Sequence, residues 1–99
     1  MLLIIGTIRL PAENVAAARG AMTAMATASR REDGCIEYGY AEDVLDPGLI
    51  HVKERWRDRA ALDAHFQAPH IAAWRAAWPT FGIGERSLTL YEIDAGRAI

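Results

Sequence analysis

The sequence predicts an α+β fold in which a ferredoxin-like four-stranded antiparallel sheet carries helices on one face. Three observations lead to this prediction. The 99 residues suit one domain, the patterns run strand, helix, strand, strand, helices, strand, and Asp46-Pro47-Gly48 is a strong turn signal between the second and third strands. Two right-handed crossovers would connect these elements. We therefore expect a single domain over residues 1–99, with a core over 1–94 and a weakly determined C-terminal tail over 95–99.

The first third of the chain is predicted to form a strand and a long helix. Residues 1–10 are a short apolar, β-branched run that ends before Pro11, which is typical of a strand buried on both faces. Gly6 within it indicates a close approach by another group, or a bulge. Residues 12–31 are rich in alanine and are expected to form the long helix, which Gly34 follows. One apolar stripe at three- and four-residue spacing contains Val15, Ala18, Met22, Met25 and Ser29.

The middle of the chain is predicted to form a hairpin over residues 35–44 and 49–57. Strict alternation in the first arm places Ile36, Tyr38 and Tyr40 on one face, with Cys35, Glu37, Gly39 and Ala41 on the other. In the second arm, the face assigned to the helices contains Ile50, Val52, Glu54 and Trp56. The opposite face contains His51, Lys53 and Arg55.

Two short helices and a last strand are expected to complete the domain. Asp58 is a plausible N-cap for a helix over residues 58–66. Pro69 opens a second helix as its first residue, and Pro79 is expected to stop it. Leu88 and Leu90 alternate with polar residues in a strand over residues 86–94.

Composition and charge exclude several classes of protein. The formal net charge of -2 argues against a nucleic-acid partner, and the basic run from Lys53 to Arg59 is interrupted by Glu54 and Asp58. The one cysteine, Cys35, cannot form an internal disulfide and is interpreted as a buried, inert thiol. The apolar run over residues 2–5 is too short for a signal peptide or a membrane span, so we expect a cytoplasmic protein with no membrane partner.

The face of the sheet that the helices do not pack on is expected to be buried against another molecule. The strands have apolar residues on both sides, and the helices can cover only one of them. A chain of this size has no further element for the other face. We therefore expect a homodimer in which two sheets pack face to face.

Polar and aromatic side chains cluster in the pattern around the third strand and the short helices. They are Tyr38, Glu54, Trp56, His65, Phe66, His70 and Trp74. A mostly apolar pocket with a few convergent polar groups is the usual form of a ligand site. The alternative interpretation is structural, because an aromatic stripe at helical spacing and a lone histidine are common in cores. We find no metal-binding motif, since His65 and His70 are separated by five positions across a proline, and no phosphate-binding or nucleophile motif.

Three segments carry a resemblance to a known family. They are Glu32-Asp33-Gly34-Cys35-Ile36-Glu37-Tyr38, then Glu54-Arg55-Trp56, then Ala61-Leu62-Asp63-Ala64-His65-Phe66-Gln67-Ala68-Pro69-His70. In this order and spacing they resemble the antibiotic biosynthesis monooxygenase domain family, over roughly residues 1–92. The positions that match the family signature are Gly34, Cys35, Tyr38, Glu54, Trp56, Leu62, His65 and His70. Asp33 and Ala68 depart from it, where a proline and a serine are common.

The resemblance implies a dimeric α+β barrel with a pocket between the sheet and the helices of each subunit. For some members it also implies oxygenation of quinols or aromatic polyketides without metal, flavin or haem. We therefore expect a monooxygenase that needs no cofactor and acts with O₂ on a small aromatic or quinol-type molecule. His65 is the first choice for the base and His70 the second, while Glu54 would orient a histidine or accept a substrate hydroxyl. The residues expected to contact the substrate are Tyr38, Trp56, Leu62, Phe66 and Trp74.

Three alternatives stay open at this point. A non-catalytic dimer of the same fold would bind a small molecule without turnover. Haem degradation, the activity of a sister branch, is disfavoured because the one asparagine is Asn14 at the start of the long helix, and Arg75 stands where a proximal histidine is expected. Nothing in the sequence separates an isomerase or lyase of the wider group from the oxygenase.

Overall fold

A computed structural model describes all residues from 1 to 99 and contains four strands and three α-helices. In chain order these are β1 (Leu2–Arg9), α1 (Val15–Arg30), β2 (Cys35–Glu42), β3 (Leu49–Trp56), α2 (Arg59–Phe66), α3 (Pro69–Phe81) and β4 (Glu85–Glu92). A short 3-10 turn at Ala12–Asn14 precedes α1. The predicted α+β class and the predicted order of elements are confirmed.

The strands form one antiparallel sheet in the order β2-β3-β1-β4. The central strand β1 pairs along its whole length with β3 on one side and β4 on the other, so that Gly6 lies between Val52 and Leu88. A Cβ at Gly6 would overlap the backbone of Ser87. The close approach that the sequence predicted at this glycine is confirmed.

The core lies between one face of the sheet and the helices. The apolar stripe of α1 is buried as predicted, from Val15 through Ala18, Met22 and Met25 to Ser29. It faces the strand residues Leu2, Ile4, Ile8, Ile50, Val52 and Trp56, all of them buried. Helix α1 also packs against β2 and α3, so the helices share this one face and leave the other uncovered.

A bulge changes the predicted faces of β2. Cys35 lies opposite Trp56 and Glu37 opposite Arg55, with the irregularity between them. Ile36 is the extra residue and is 45% exposed, whereas Tyr38 is 3% exposed. The prediction that Ile36 shares a face with Tyr38 is therefore wrong, and Cys35 packs against the core instead of away from it, because one inserted residue interrupts the alternation.

Helix α3 does not stop at Pro79, which corrects the sequence prediction. It continues to Phe81 and ends at Gly82, whose φ of 72° is left-handed. Gly82 N donates to Pro79 O at 3.2 Å, and Ile83 N donates to Trp78 O at 3.0 Å. A proline in the last turn removes one backbone donor. The glycine cap provides hydrogen bonds to the last carbonyls of the helix, those of Trp78 and Pro79. The predicted helix starts are confirmed, since Asp58 Oδ1 accepts from Ala61 N at 2.9 Å and Pro69 begins α3.

The uncovered face of the sheet is apolar only along β1 and β4. Ile5 and Tyr91 are 45% and 50% exposed there. Along β2 and β3 this face is charged, since Glu37 binds Lys53 at 2.7 Å and Arg55 at 3.0 Å. The expectation of apolar residues on both sides of all four strands is therefore wrong for β2 and β3. No helix has the length and apolar character needed to cross a membrane.

Candidate active site

A cavity of about 280 Å³ lies between the helix-facing side of the sheet and helices α2 and α3. Strands contribute Ile4, Ile8, Tyr38, Tyr40, Glu54, Arg86, Leu88, Thr89 and Leu90 to its lining. Helices contribute Arg59, His65, Phe66, Ile71, Trp74, Arg75 and Trp78. Ten of these sixteen residues are hydrophobic, and the volume lies at the small end of the usual range for ligand sites. The cavity therefore suits a small, largely apolar molecule.

His65 is the most enclosed polar side chain of the cavity wall. It lies on α2, its side chain is 4% exposed, and its ring packs on Trp56 and Tyr38 at centroid distances of 4.5 Å and 5.4 Å. Its Nδ1 lies 2.5 Å from Glu32 Oε2. Because a carboxylate oxygen accepts hydrogen bonds, this contact assigns the ring proton to Nδ1 and leaves Nε2 as an acceptor.

The pKa of His65 follows from this environment. Burial lowers it below the ordinary 6.5, and the hydrogen bond and charge of Glu32 oppose that shift. The neutral imidazole is therefore favoured at neutral pH, with its free nitrogen on the side of Glu54. A neutral imidazole with a free nitrogen is able to accept a proton from a bound molecule.

Glu32 is the residue that sequence reasoning missed. It lies between α1 and β2, and its Oε2 accepts from both His65 Nδ1 and His70 Nε2, the latter at 2.9 Å. Its one signal in the sequence is that it opens the first segment of the family resemblance. Glu32 therefore orients His65, the role that the sequence had offered to Glu54.

His70 is placed differently from His65. Its side chain is 23% exposed, and it is absent from the cavity lining. The two rings lie 6.2 Å apart, centroid to centroid. The structure thus joins both predicted histidines through one carboxylate but brings only His65 to the cavity.

Glu32, His65 and His70 are also the residues that could hold a metal, because their ligand atoms lie within 4.8 Å of one another. Motifs of closely spaced residues do not reveal this group, because Glu32 lies 33 positions before His65 in the chain. The contacts of 2.5 Å and 2.9 Å are hydrogen-bond distances. In this structure the three side chains form a hydrogen-bonded triad.

Glu54 is a buried carboxyl group beside His65. It lies on β3, is 4% exposed, and its Oε1 accepts from Trp56 Nε1 at 3.0 Å. Burial raises the pKa of Glu54, and the bond from Trp56 and the positive charge of Arg86 oppose that shift. Its Oε1 lies 3.9 Å from His65 Nε2, which is too long for a hydrogen bond. A hydroxyl of a bound molecule could contact both groups.

Aromatic side chains form one wall of the cavity. Tyr38 and Tyr40 stack at 5.9 Å, and Trp74 Nε1 donates to the Tyr40 hydroxyl at 3.3 Å. Burial raises the pKa of both tyrosines, so each remains a neutral phenol. Trp78 also lines the cavity, and its buried indole nitrogen has no hydrogen-bond partner.

Three of the five residues predicted to contact the substrate lie at the cavity. Tyr38, Phe66 and Trp74 line it. Trp56 and Leu62 are fully buried and absent from the lining, because Trp56 lies beneath His65 and Leu62 packs into the core. The structure therefore places these two residues behind the cavity wall, and their contact with a bound molecule stays a prediction. Tyr40, Arg75 and Arg86 line the cavity without having been predicted, since the fold brings them together from separate elements.

Comparison with known proteins finds a matching family profile and two related chains. The profile of the family described as "Antibiotic biosynthesis monooxygenase" matches residues 1–77. The chain is 37% identical over 65 residues, 66% of its length, to "Uncharacterized protein sll1783" of Synechocystis, of which the match spans 44%. It is 43% identical over 60 residues, 61% of its length, to "Putative monooxygenase Rv0793" of Mycobacterium tuberculosis, of which the match spans 58%. The matches thus span about half of each of these relatives.

Two solved structures extend the likeness over nearly the whole chain. A protein of Deinococcus radiodurans, described as a "putative antibiotic biosynthesis monooxygenase", superposes with a TM-score of 0.91 at 29% identity. That match covers 100% of this chain and 98% of that one. The structure of Rv0793 superposes with a TM-score of 0.84 at 29% identity and covers 98% of both chains.

Proposed function

This chain belongs to the antibiotic biosynthesis monooxygenase family, and we propose that it oxidises a small aromatic or quinol-type substrate with O₂ in the cavity beside α2 and α3. One observation carries the proposal. His65 is buried at the cavity wall with Nδ1 bound to Glu32 and Nε2 free. A neutral imidazole with a free ring nitrogen at a mostly apolar cavity can serve as the base that oxidation of a phenol or quinol requires.

The chemistry begins with a proton transfer. His65 Nε2 accepts the proton of a substrate hydroxyl, and the resulting anion is electron-rich enough to give one electron to O₂. Superoxide and the substrate radical then combine to form a carbon–oxygen bond, and protonated His65 returns its proton to the terminal oxygen to give a hydroperoxide. The ring carbon that carries the hydroperoxide loses its hydrogen as a proton while the O–O bond breaks. One oxygen atom stays on the ring as a carbonyl, and the departing hydroxide takes up a proton and leaves as water. All electrons that reduce O₂ come from the substrate, so the proposed reaction needs no cofactor.

The protein's part in this reaction is proton handling and shielding. Once His65 is protonated, the carboxylate of Glu32 stabilises the imidazolium through the Nδ1 hydrogen bond. Glu32 also binds His70, whose partial exposure gives the proton a way to solvent. Glu54 would accept or donate a hydrogen bond to the same substrate hydroxyl. Tyr40, Trp74 and Phe66 would contact the flat ring and exclude water from the radical pair.

The proposed assembly is a homodimer through the uncovered face of the sheet. Its apolar part lies along β1 and β4, where Leu3, Ile5 and Tyr91 are partly or largely exposed. Burying such a patch against a second copy would remove it from water. The charged half along β2 and β3, where Glu37 pairs with Lys53 and Arg55, would then lie toward the rim.

The direct test is oxygen consumption with a panel of hydroquinones and naphthohydroquinones. His65→Gln is the test variant, because the amide can still donate to Glu32 but is a far weaker base. We expect turnover to fall by about a hundredfold or more, the usual contribution of a general base. His51→Gln is the matched control, since His51 lies outside the cavity and binds Asp43.

Two results would reject this function. One is no oxygen consumption by wild-type protein with any member of the panel, and the other is equal rates in wild type and His65→Gln. A ligand of the panel that raises the melting temperature without being consumed would favour the second candidate, a non-catalytic binding protein with the same cavity. The apolar lining of the cavity is the observation that favours this candidate, which needs no catalytic role for Glu32, His65 and His70.

A further inference from the structure

Two arginines at the cavity have no carboxylate partner. Arg75 lies on α3 and Arg86 on the helix-facing side of β4, and both side chains line the cavity. Neither forms a salt bridge or a side-chain hydrogen bond. Arg59, which also lines the cavity, binds Asp63 at 3.0 Å. The cavity thus has two positive charges that the protein itself leaves unneutralised.

Five of the ten arginines differ from this pair, because each of them binds a carboxylate, namely Arg9, Arg19, Arg55, Arg57 and Arg59. Arg31 and Arg97 also lack a salt bridge but do not line the cavity. The chain as a whole carries a net charge of -2, so acidic groups are not scarce. Of the lining residues, Glu54 is the one carboxyl group, and it is buried at 4% exposure, whereas Arg75 and Arg86 are exposed. We call the exposed end of the cavity, at Arg75 and Arg86, its mouth. The mouth is therefore basic, and Glu54 and His65 lie in the buried interior.

The two arginines act on the groups inside the cavity. The charges of Arg86 and Arg75 both lower the pKa of Glu54, against the larger effect of its burial. Arg75 lowers the pKa of Tyr40 and of His65 as well. The same positive field would favour a negative charge on a bound molecule, because the apolar walls screen it less than water does.

We propose that the cavity takes an aromatic substrate bearing a carboxylate, which Arg75 and Arg86 bind at the mouth while a ring hydroxyl faces Glu54 and His65. This inference rests on the proposed function, in which the cavity is the substrate site. Guanidinium groups bind carboxylates through paired N–H donors. The ring would lie along Tyr40, Trp74 and Leu88, which form the wall between the two ends.

The test measures binding of three related ligands under anaerobic conditions. They are 2,5-dihydroxybenzoate, its neutral methyl ester, and hydroquinone, followed by calorimetry and by the fluorescence of the cavity tryptophans. We expect the acid to bind about tenfold more tightly than the ester, the effect of one charge-assisted contact near the surface. The difference should shrink as salt is added, because the arginines are exposed.

The variants Arg75→Gln and Arg86→Gln should each reduce the preference for the acid over the ester, and the double variant should abolish it. Arg19→Gln is the matched control, since it removes the same charge from α1, where Arg19 binds Glu42 away from this cavity. Equal binding of acid and ester by wild type, an equal loss in Arg19→Gln, or no saturable binding of any of the three would overturn the inference.

Oxygen consumption by the same three ligands separates this inference from the proposed function. If hydroquinone is oxidised but the carboxylate gives no advantage in binding, the inference about Arg75 and Arg86 fails and the oxygenase stands. If the acid binds through the arginines and none of the three is oxidised, the carboxylate site stands and the oxygenase fails for this substrate class.

Discussion

Glu32 Oε2 lies 2.5 Å from His65 Nδ1, although the two residues are 33 positions apart in the chain. The contact joins the loop after α1 to the buried side of α2. It fixes the tautomer of His65, because the carboxylate holds the proton on Nδ1. The tautomer of His65, the proposed base, is thus set by a residue that does not line the cavity.

Replacing Glu32 with glutamine should weaken His65 as a base. The charge and hydrogen bond of Glu32 raise the pKa of His65 against its burial, so their loss should lower that pKa further. We also expect the protein to lose about 1.5–3 kcal/mol of unfolding free energy, the usual value of a hydrogen bond to a charged group. An NMR titration of the imidazole signals measures the first effect and urea unfolding the second. An unchanged His65 titration in Glu32→Gln would contradict the assigned hydrogen bond.

The buried His65 should make stability depend on pH below about 6.5. Its folded pKa is below the ordinary 6.5, so the unfolded chain binds a proton before the folded protein does. The free energy of unfolding should therefore fall as pH decreases through 6.5. Urea unfolding across this range should show a smaller decrease in His65→Gln than in wild type. A parallel slope in wild type and His65→Gln would argue against a depressed pKa.

Replacing Glu54 with glutamine should stabilise the protein at alkaline pH. Burial raises the pKa of Glu54 above the ordinary 4.5, so wild-type stability falls as pH rises from there to the folded pKa. The amide removes this loss and can still accept from Trp56 Nε1. We expect the unfolding free energy of Glu54→Gln to exceed that of wild type at pH 8, as measured by urea unfolding.

Glu37→Gln is the control for this prediction and should have the opposite sign. Glu37 is held by Lys53 and Arg55 on the uncovered face, and these partners lower its pKa. Its amide variant should therefore lose a few tenths of a kcal/mol, the usual value of partly exposed ion pairs. A loss of stability in Glu54→Gln would show that the buried carboxylate is better compensated than its environment indicates.

A charge at Ile5 should disrupt the proposed homodimer. Ile5 is 45% exposed at the centre of the apolar part of the uncovered face, where an aspartate would have to be buried on association. Sedimentation should give a dimer for wild type and a monomer for Ile5→Asp at micromolar concentration. Val44→Asp is the control, because Val44 is 95% exposed in the β2–β3 loop. A monomeric wild type would remove the dimer from the proposal.

The elements of the fold were predictable because their signals are local. The stripe from Val15 to Ser29 and the cap at Asp58 depend on neighbours within a few residues. The bulge at Ile36 was not predictable, since an inserted residue leaves no mark in an alternating pattern. The end of α3 was predicted wrongly at Pro79, because a proline destabilises the last turn of a helix only slightly. Few backbone hydrogen bonds remain there for it to break.

The candidate site was less predictable than the fold. The resemblance supplied His65, His70 and Glu54, but it could not show which of them share a cavity. Glu32 and Arg86 come from a loop and an edge strand, and they reach the site only through tertiary packing. Trp56 was placed correctly on the helix-facing side of β3, and its depth beneath His65 depends on the packing of α2.

His70 is 23% exposed and does not line the cavity. In the proposed reaction the substrate would enter the cavity beside Arg75 and Arg86, whereas a proton would pass between His65 and solvent through Glu32 and His70. A product that fills the cavity would then leave this second route open, so that His65 would exchange its proton before the product leaves.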